Sequence, residues 1–208
     1  MPTGLPGCEA SVAPPSEAAS TATDVGEPAL IRAAQAGEHG ALDELVRRHR
    51  GSAYALALQL LGDRDDALDV AQEAILRFVT SLARLDPGRP ARPWLLQITR
   101  NQVRDLWRRQ SVRSAEPLDP SALHASSDPE QDAERALLRA RVWRAIARLD
   151  PAKREILVLR DFHDLSYREL ALVLAIAPGT VMSRLHAARS QLRQELESSA
   201  PTGAACHD

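Results

Sequence analysis

The chain has 208 residues, 44% of them apolar but only 3% aromatic, and a formal net charge of −2. That length allows one mid-sized domain or two small ones, with a core built from Leu, Val, Ile and Ala. Near-neutral charge excludes a uniformly basic nucleic-acid binder. No apolar stretch approaches the roughly 18–20 residues of a membrane span.

The first 26 residues or so are rich in Pro, Ala, Ser, Thr and Gly without apolar periodicity, and read as a disordered leader. Good helix formers then dominate and β-branched runs are short, which predicts an all-α fold. Leu42, Leu45, Val46, Tyr54, Leu58 and Leu61 recur at helical spacing. Gly62 ends that helix and Asp63 is a candidate N-cap for the next. The next helix turns Ala67, Val70, Ala71, Ala74, Ile75, Phe78 and Leu82 inward. Asp86-Pro87-Gly88-Arg89-Pro90 breaks the chain, and a further helix is predicted from about Pro93 to Arg109 with Leu95, Ile98, Val103 and Leu106 as its apolar positions.

Pro117, Pro120 and Pro129, set among Ser and acidic residues, mark a linker over about 110–133. The second module runs over 134–197. Ser166 and Glu169 have the spacing of a capping box, and Pro178 stands where a first helical residue tolerates proline. In the last helix Val181, Leu185, Ala188 and Leu192 form one stripe against Leu170 and Leu174. Two helices on a tight turn, with short polar side chains and an Arg early in the second, match helix-turn-helix geometry. Thr180, Ser183 and Arg184 are placed to meet bases or phosphates. A tail follows from 198.

Charge is distributed in blocks. Arg89 to Arg113 holds seven Arg and one Asp, a local +6; Asp63 to Glu73 holds five acids and one Arg, a local −4; Ser114 to Glu134 holds six acids and no base. Such alternation predicts several partner surfaces. Asp69, Gln72 and Glu73 share one helix face suited to a basic helical partner. Arg100, Arg104, Arg108 and Arg109 give the following helix a basic flank able to track phosphates. Asn101 can bond a base edge, and Trp107 can stack on an unpaired base. Trp94 begins the apolar stripe and reads as core.

Chemistry of other kinds finds no footing. Cys8 and Cys206 sit in opposite tails without metal or disulfide spacing. The six histidines are scattered. Asp63, Asp65, Asp66 and Asp69 have no ligand partner on their helix, and no nucleophile motif or phosphate loop occurs. No enzyme activity and no cofactor are expected, and the chain is expected to be cytoplasmic.

The segment Leu165-Ser166-Tyr167-Arg168-Glu169-Leu170-Ala171, followed by Pro178-Gly179-Thr180-Val181-Met182-Ser183-Arg184-Leu185 and Ala188-Arg189, resembles region 4 of sigma-70 family factors, in particular the extracytoplasmic-function group. Asp69-x-x-Gln72-Glu73 resembles the D-x-x-Q-E motif of region 2.2. Trp94-Leu95, Ile98, Asn101, Asp105 and Arg108-Arg109 resemble regions 2.3 and 2.4. The resemblance covers about 170 residues and implies an alternative sigma factor with two modules. Asp69, Gln72 and Glu73 would dock on the β′ clamp helices of core RNA polymerase. Arg100, Asn101, Arg104, Trp107 and Arg108 would hold the melted −10 element. Ser166, Thr180, Ser183, Arg184, His186 and Arg189 would meet the −35 element. The family also implies contact with the β flap, an acidic linker that follows an RNA channel, and an anti-sigma partner. Met182 and Ala187 depart from the pattern, since the family often places basic residues there. The alternative is a stand-alone helix-turn-helix regulator, which leaves the first module without a role.

Overall fold

The computed structural model describes residues 26–113 and 131–198, and the described residues form eight α-helices and one 3-10 turn with no strand. They are α1 (Glu27–Gln35), α2 (His39–Leu61), α3 (Arg64–Ser81), α4 (Ala91–Arg113), α5 (Gln131–Arg148), α6 (Pro151–Asp161), α7 (Tyr167–Leu174) and α8 (Pro178–Ser198). The all-α expectation holds. The leader, the tail and both cysteines lie outside the described residues, as do positions 114–130 of the expected linker. Within the span expected as linker, α4 runs on through Arg113 and α5 begins at Gln131.

Local signals set the helix ends. Gly62 adopts a left-handed conformation (φ 75°) and its N–H donates to Leu58 O at 2.8 Å, closing α2. The Asp63 carboxylate accepts from the N–H groups of Asp65 and Asp66 at 2.9 and 2.8 Å. Asp65 and Asp66 lie in the first turn of α3, where the helix dipole favours negative charge. Much of the acidic block at 63–73 therefore starts a helix, leaving Asp69 and Glu73 for other work. Ser166 and Glu169 form the predicted capping box, and Pro178 opens α8.

Two cores result. The first joins α1, α2, α3 and the start of α4 around Phe78, Ile31, Leu45 and Leu95. Trp94 packs on Phe78 with ring centroids 5.5 Å apart, so it stands on the core's flank. Gln35 fastens this bundle by donating to Leu82 O and Leu85 O at 3.0 and 2.7 Å. The second core is shared between the modules. Leu56, Leu60, Leu96 and Val103 of the first pack with Ile146, Ile156, Leu157 and Leu185 of the second. Five consecutive residues of α6, Glu155 to Leu159, are buried. A helix buried all round lies between two partners: α6 meets α7 and α8 on one side and α2 on the other.

Replacing Asp63 with Ala removes two accepted bonds at the start of α3. It should lower the stability of the folded chain by about 1 kcal/mol, read as a drop of a few degrees in thermal midpoint with no loss of helix content at 25 °C.

Candidate nucleic-acid interface

On α3, Asp69, Gln72 and Glu73 are all exposed on one face, flanked by the buried Val70, Ala71 and Ala74. Glu73 accepts from Arg77 Nε at 2.7 Å, an exposed i,i+4 pair of little energetic weight. The face is accessible as the sequence predicts.

On α4 the outcome differs. The helix has two buried sides: Leu95 enters the first core, while Leu96 and Val103 enter the shared one. Arg100 rides on the second side and is only 5% exposed. Its Nε donates to Glu155 Oε2 at 2.9 Å, and Arg104 Nε donates to Glu155 Oε1 at 2.6 Å. Glu155 is fully buried. Burial depresses the Arg100 guanidinium below its ordinary value, opposed by the charge and hydrogen bond of Glu155. In this arrangement Arg100 and Arg104 face the second module rather than solvent. Asn101 is exposed, with its amide oxygen accepting from Arg100 Nη1 at 3.2 Å. Arg108 is exposed and pairs with Asp105 at 2.5 Å. Trp107 is half-buried, packed on the shared core, with the Arg154 guanidinium 5.7 Å from its ring centroid.

In the helix-turn-helix, Ala175 takes a left-handed conformation (φ 53°) to end α7. Val181, Leu185 and Ala188 are buried, and Leu192 is half-buried against them. Thr180, Ser183 and His186 are exposed, as are the departures Met182 and Ala187. Ser183 Oγ donates to Thr180 O at 3.2 Å within its own helix. The Ser166 hydroxyl is engaged with Glu169, so its first role here is structural. Arg189 pairs with Asp161 at 2.5 Å, and that hydrogen bond raises its pKa. Arg184 is half-buried, close enough for its charge to act on Arg100. Of the arginines expected to meet DNA, Arg100 and Arg104 thus lie on the seam between the modules.

Further groups stitch this seam that the motif reading missed. Arg154 Nη1 donates to Leu60 O at 3.2 Å, and its Nη2 donates to Ala147 O and Leu149 O, so one guanidinium ends two helices from different modules. His163 Nε2 bonds Gln59 Oε1 at 2.9 Å, and Gln97 donates to Leu172 O at 3.4 Å. Beside these bonds a cleft of about 790 Å³ opens between the modules, with Trp94, Leu172, Arg84, Arg89 and Arg168 on its walls. One signal in the sequence could have exposed the seam. The run Glu155-Ile156-Leu157-Val158-Leu159 is too continuous for a single amphipathic stripe. Among the described residues, no group of three or more His, Cys, Asp or Glu could hold a metal, and no single helix is long and apolar enough to cross a membrane.

Comparison with known proteins adds a family context. The sigma-70 region 2 profile matches residues 45–113 and the sigma-70 region 4 profile matches 139–192. The chain is 39% identical over 157 residues to the ECF RNA polymerase sigma factor SigE of Mycolicibacterium smegmatis, covering 74% of this chain and 61% of that protein's length. It is 34% identical over 177 residues to the RNA polymerase sigma factor NccH of Alcaligenes xylosoxydans xylosoxydans, covering 82% of this chain and 95% of that one. Its fold is similar to CnrH, solved in complex with the cytosolic domain of CnrY, with TM-score 0.63, 29% identity and coverage of 84% and 99%.

The seam carries a pH dependence. His163 is buried, and burial, aided by the nearby Arg92 charge and opposed by Asp164, lowers its pKa from 6.5 to about 4. The unfolded chain therefore binds more protons than the folded one between those values, so stability falls as pH drops through that window. From pH 7 to pH 5 this group alone should cost about 2 kcal/mol. Urea unfolding at both pH values should show that loss in the wild type and a loss smaller by about that amount in His163→Gln. Equal losses in the two proteins would assign the acid sensitivity elsewhere.

Proposed function

This chain belongs to the sigma-70 family, in its extracytoplasmic-function group, and from that premise we propose how its surfaces divide the work of an alternative sigma factor. As such a factor it binds core RNA polymerase and directs promoter recognition, strand opening and transcription initiation. Chemistry stays with the polymerase; the chain itself is a binding protein and not an enzyme, and acts in the cytoplasm.

The observation that carries this reading is the exposed trio Asp69, Gln72 and Glu73 on α3, standing beside the arginine-bearing α4. The acidic face docks on the β′ clamp helices. Asn101, Trp107 and Arg108, with Arg100 and Arg104 once freed, hold the −10 element and its displaced strand: guanidinium groups grip phosphates, while the amide reads a base edge. Thr180, Ser183, Arg184, His186 and Arg189 meet the −35 element from α8, with Ser166 at the start of α7. The second module also contacts the β flap. Met182, 62% exposed on the recognition helix, brings an apolar side chain where relatives of this kind often carry a cation. It shifts that contact from phosphate attraction toward van der Waals contact with a thymine methyl.

An anti-sigma partner fits the cleft between the modules. Trp94 and Leu172 offer apolar surface, and Arg84, Arg89 and Arg168 outnumber Asp86 and Glu169 on its walls, leaving a modest positive excess. An amphipathic segment with acidic flanks has the complementary chemistry. The solved relative CnrH was captured in complex with the cytosolic domain of CnrY. The stand-alone regulator reading is not favoured, because it gives the region 2 module nothing to do.

Reconstitution with core polymerase tests the division. Asp69→Ala combined with Glu73→Ala should weaken holoenzyme formation by at least about tenfold, in line with the loss of one to two kcal/mol of polar contact. Asn101→Ala should form holoenzyme normally yet lose most run-off transcription from a cognate promoter. Loss of polymerase binding in Asn101→Ala would count against this assignment of roles.

A further inference from the structure

Two arginines of the first module share one buried acid of the second. Glu155 is the only buried carboxylate among the described residues, and its partners there, Arg100 and Arg104, both belong to the other module. Each of its oxygens takes one guanidinium, as a phosphate would on that helix. Arg184 adds a third positive charge nearby. One anion among three cations is under-neutralised, so the seam attracts further negative charge as soon as it opens. Arg154, next in sequence, binds Leu60 O and lies over Trp107, covering another candidate DNA contact.

We propose that Glu155 is an intramolecular latch: it occupies Arg100 and Arg104 in place of nucleic-acid phosphate, holding the chain shut until DNA strand or polymerase displaces it. This rests on reading α4 as the DNA-binding helix. Shut, the chain leaves the α3 docking face exposed while masking the arginines that would bind DNA without discrimination. Polymerase can therefore be engaged first and DNA afterwards. DNA affinity is then the intrinsic affinity reduced by the fraction of chains that are open.

The test uses the full chain with Cys8 and Cys206 changed to Ser and fluorescent labels at Asp43→Cys in α2 and Ser190→Cys in α8, both exposed positions. Energy transfer reports the inter-module distance, and a fluorescein-labelled single-stranded DNA oligonucleotide of mixed sequence reports binding on unlabelled protein. In Glu155→Gln the transfer should fall and DNA affinity should rise by about tenfold or more, as expected if fewer than roughly a tenth of wild-type chains are open. Glu155→Lys, which sets another cation beside Arg100, Arg104 and Arg184, should open at least as far. Helix content by circular dichroism should be unchanged in both, because the Glu155 carboxylate accepts from Arg100 and Arg104 of the other module. Unchanged transfer in both variants would overturn the latch. Reduced transfer with unchanged DNA affinity would overturn the masking, and with it the reading of α4 as the DNA helix. Loss of helix content would place Glu155 in the fold of its own module and overturn the proposal as well.

Discussion

Glu155 has been taken wholly out of water. A carboxylate in that position costs several kcal/mol in lost hydration, which its partners must offset. Two guanidinium groups at 2.9 and 2.6 Å do so, but only while α6 lies against α4. The arrangement of the molecule follows from this requirement. The shared core of Leu96, Val103, Ile156 and Leu157 forms around it, and Arg154, next in sequence, ends two helices beside it. Apolar contact supplies most of the attraction between the modules, since such burial is favourable and undirected. The ion pairs supply the direction, because a misaligned seam would leave a carboxylate and two guanidinium groups buried without partners.

What the sequence reveals depends on range. Gly62, Asp63, the Ser166–Glu169 pair and Pro178 act on neighbours within four residues, and each was legible because its geometry is set locally. The same holds for the stripe Val181, Leu185 and Ala188 on α8 and for the exposed trio on α3. Helical periodicity tells which residues share a face, and a polar face of five or six residues is enough to predict exposure.

The fate of Arg100 and Arg104 was not legible, for a corresponding reason. Their partner is 55 and 51 residues away, beyond any periodic signal, and an arginine in a basic helix is expected to be hydrated. Leu96 shows the same limit. Leu95 and Leu96 are adjacent, yet they enter different cores: α4 is covered on two sides, Leu95 facing the first core and Leu96 the shared one. α6 carries the complementary clue in its five consecutive buried positions. Two helices that each exceed one apolar stripe must find a second partner, and these two find each other. The ends of the linker span are set differently. Proline and acidic composition mark where a helix is disfavoured, yet α4 continues to Arg113, past the last apolar position of its stripe, with Gln110 donating to Asp66 Oδ2 on α3 at 3.1 Å.

A buried ion pair is a weak glue and a good switch, and the difference matters for a protein that must change partners. Replacing such a pair by apolar residues often leaves stability unchanged or raises it. An all-apolar seam, however, would have nothing to exchange. Phosphate cannot compete with leucine, but it competes directly with a carboxylate for the same guanidinium. When Glu155 is displaced it regains its hydration, so the main cost of opening falls on the apolar contacts that α2 and α4 make with α6 and α7. The groups that close the seam are thus the groups that would later hold the nucleic acid. One set of arginines serves both states, and neither state requires a charge to be left buried alone.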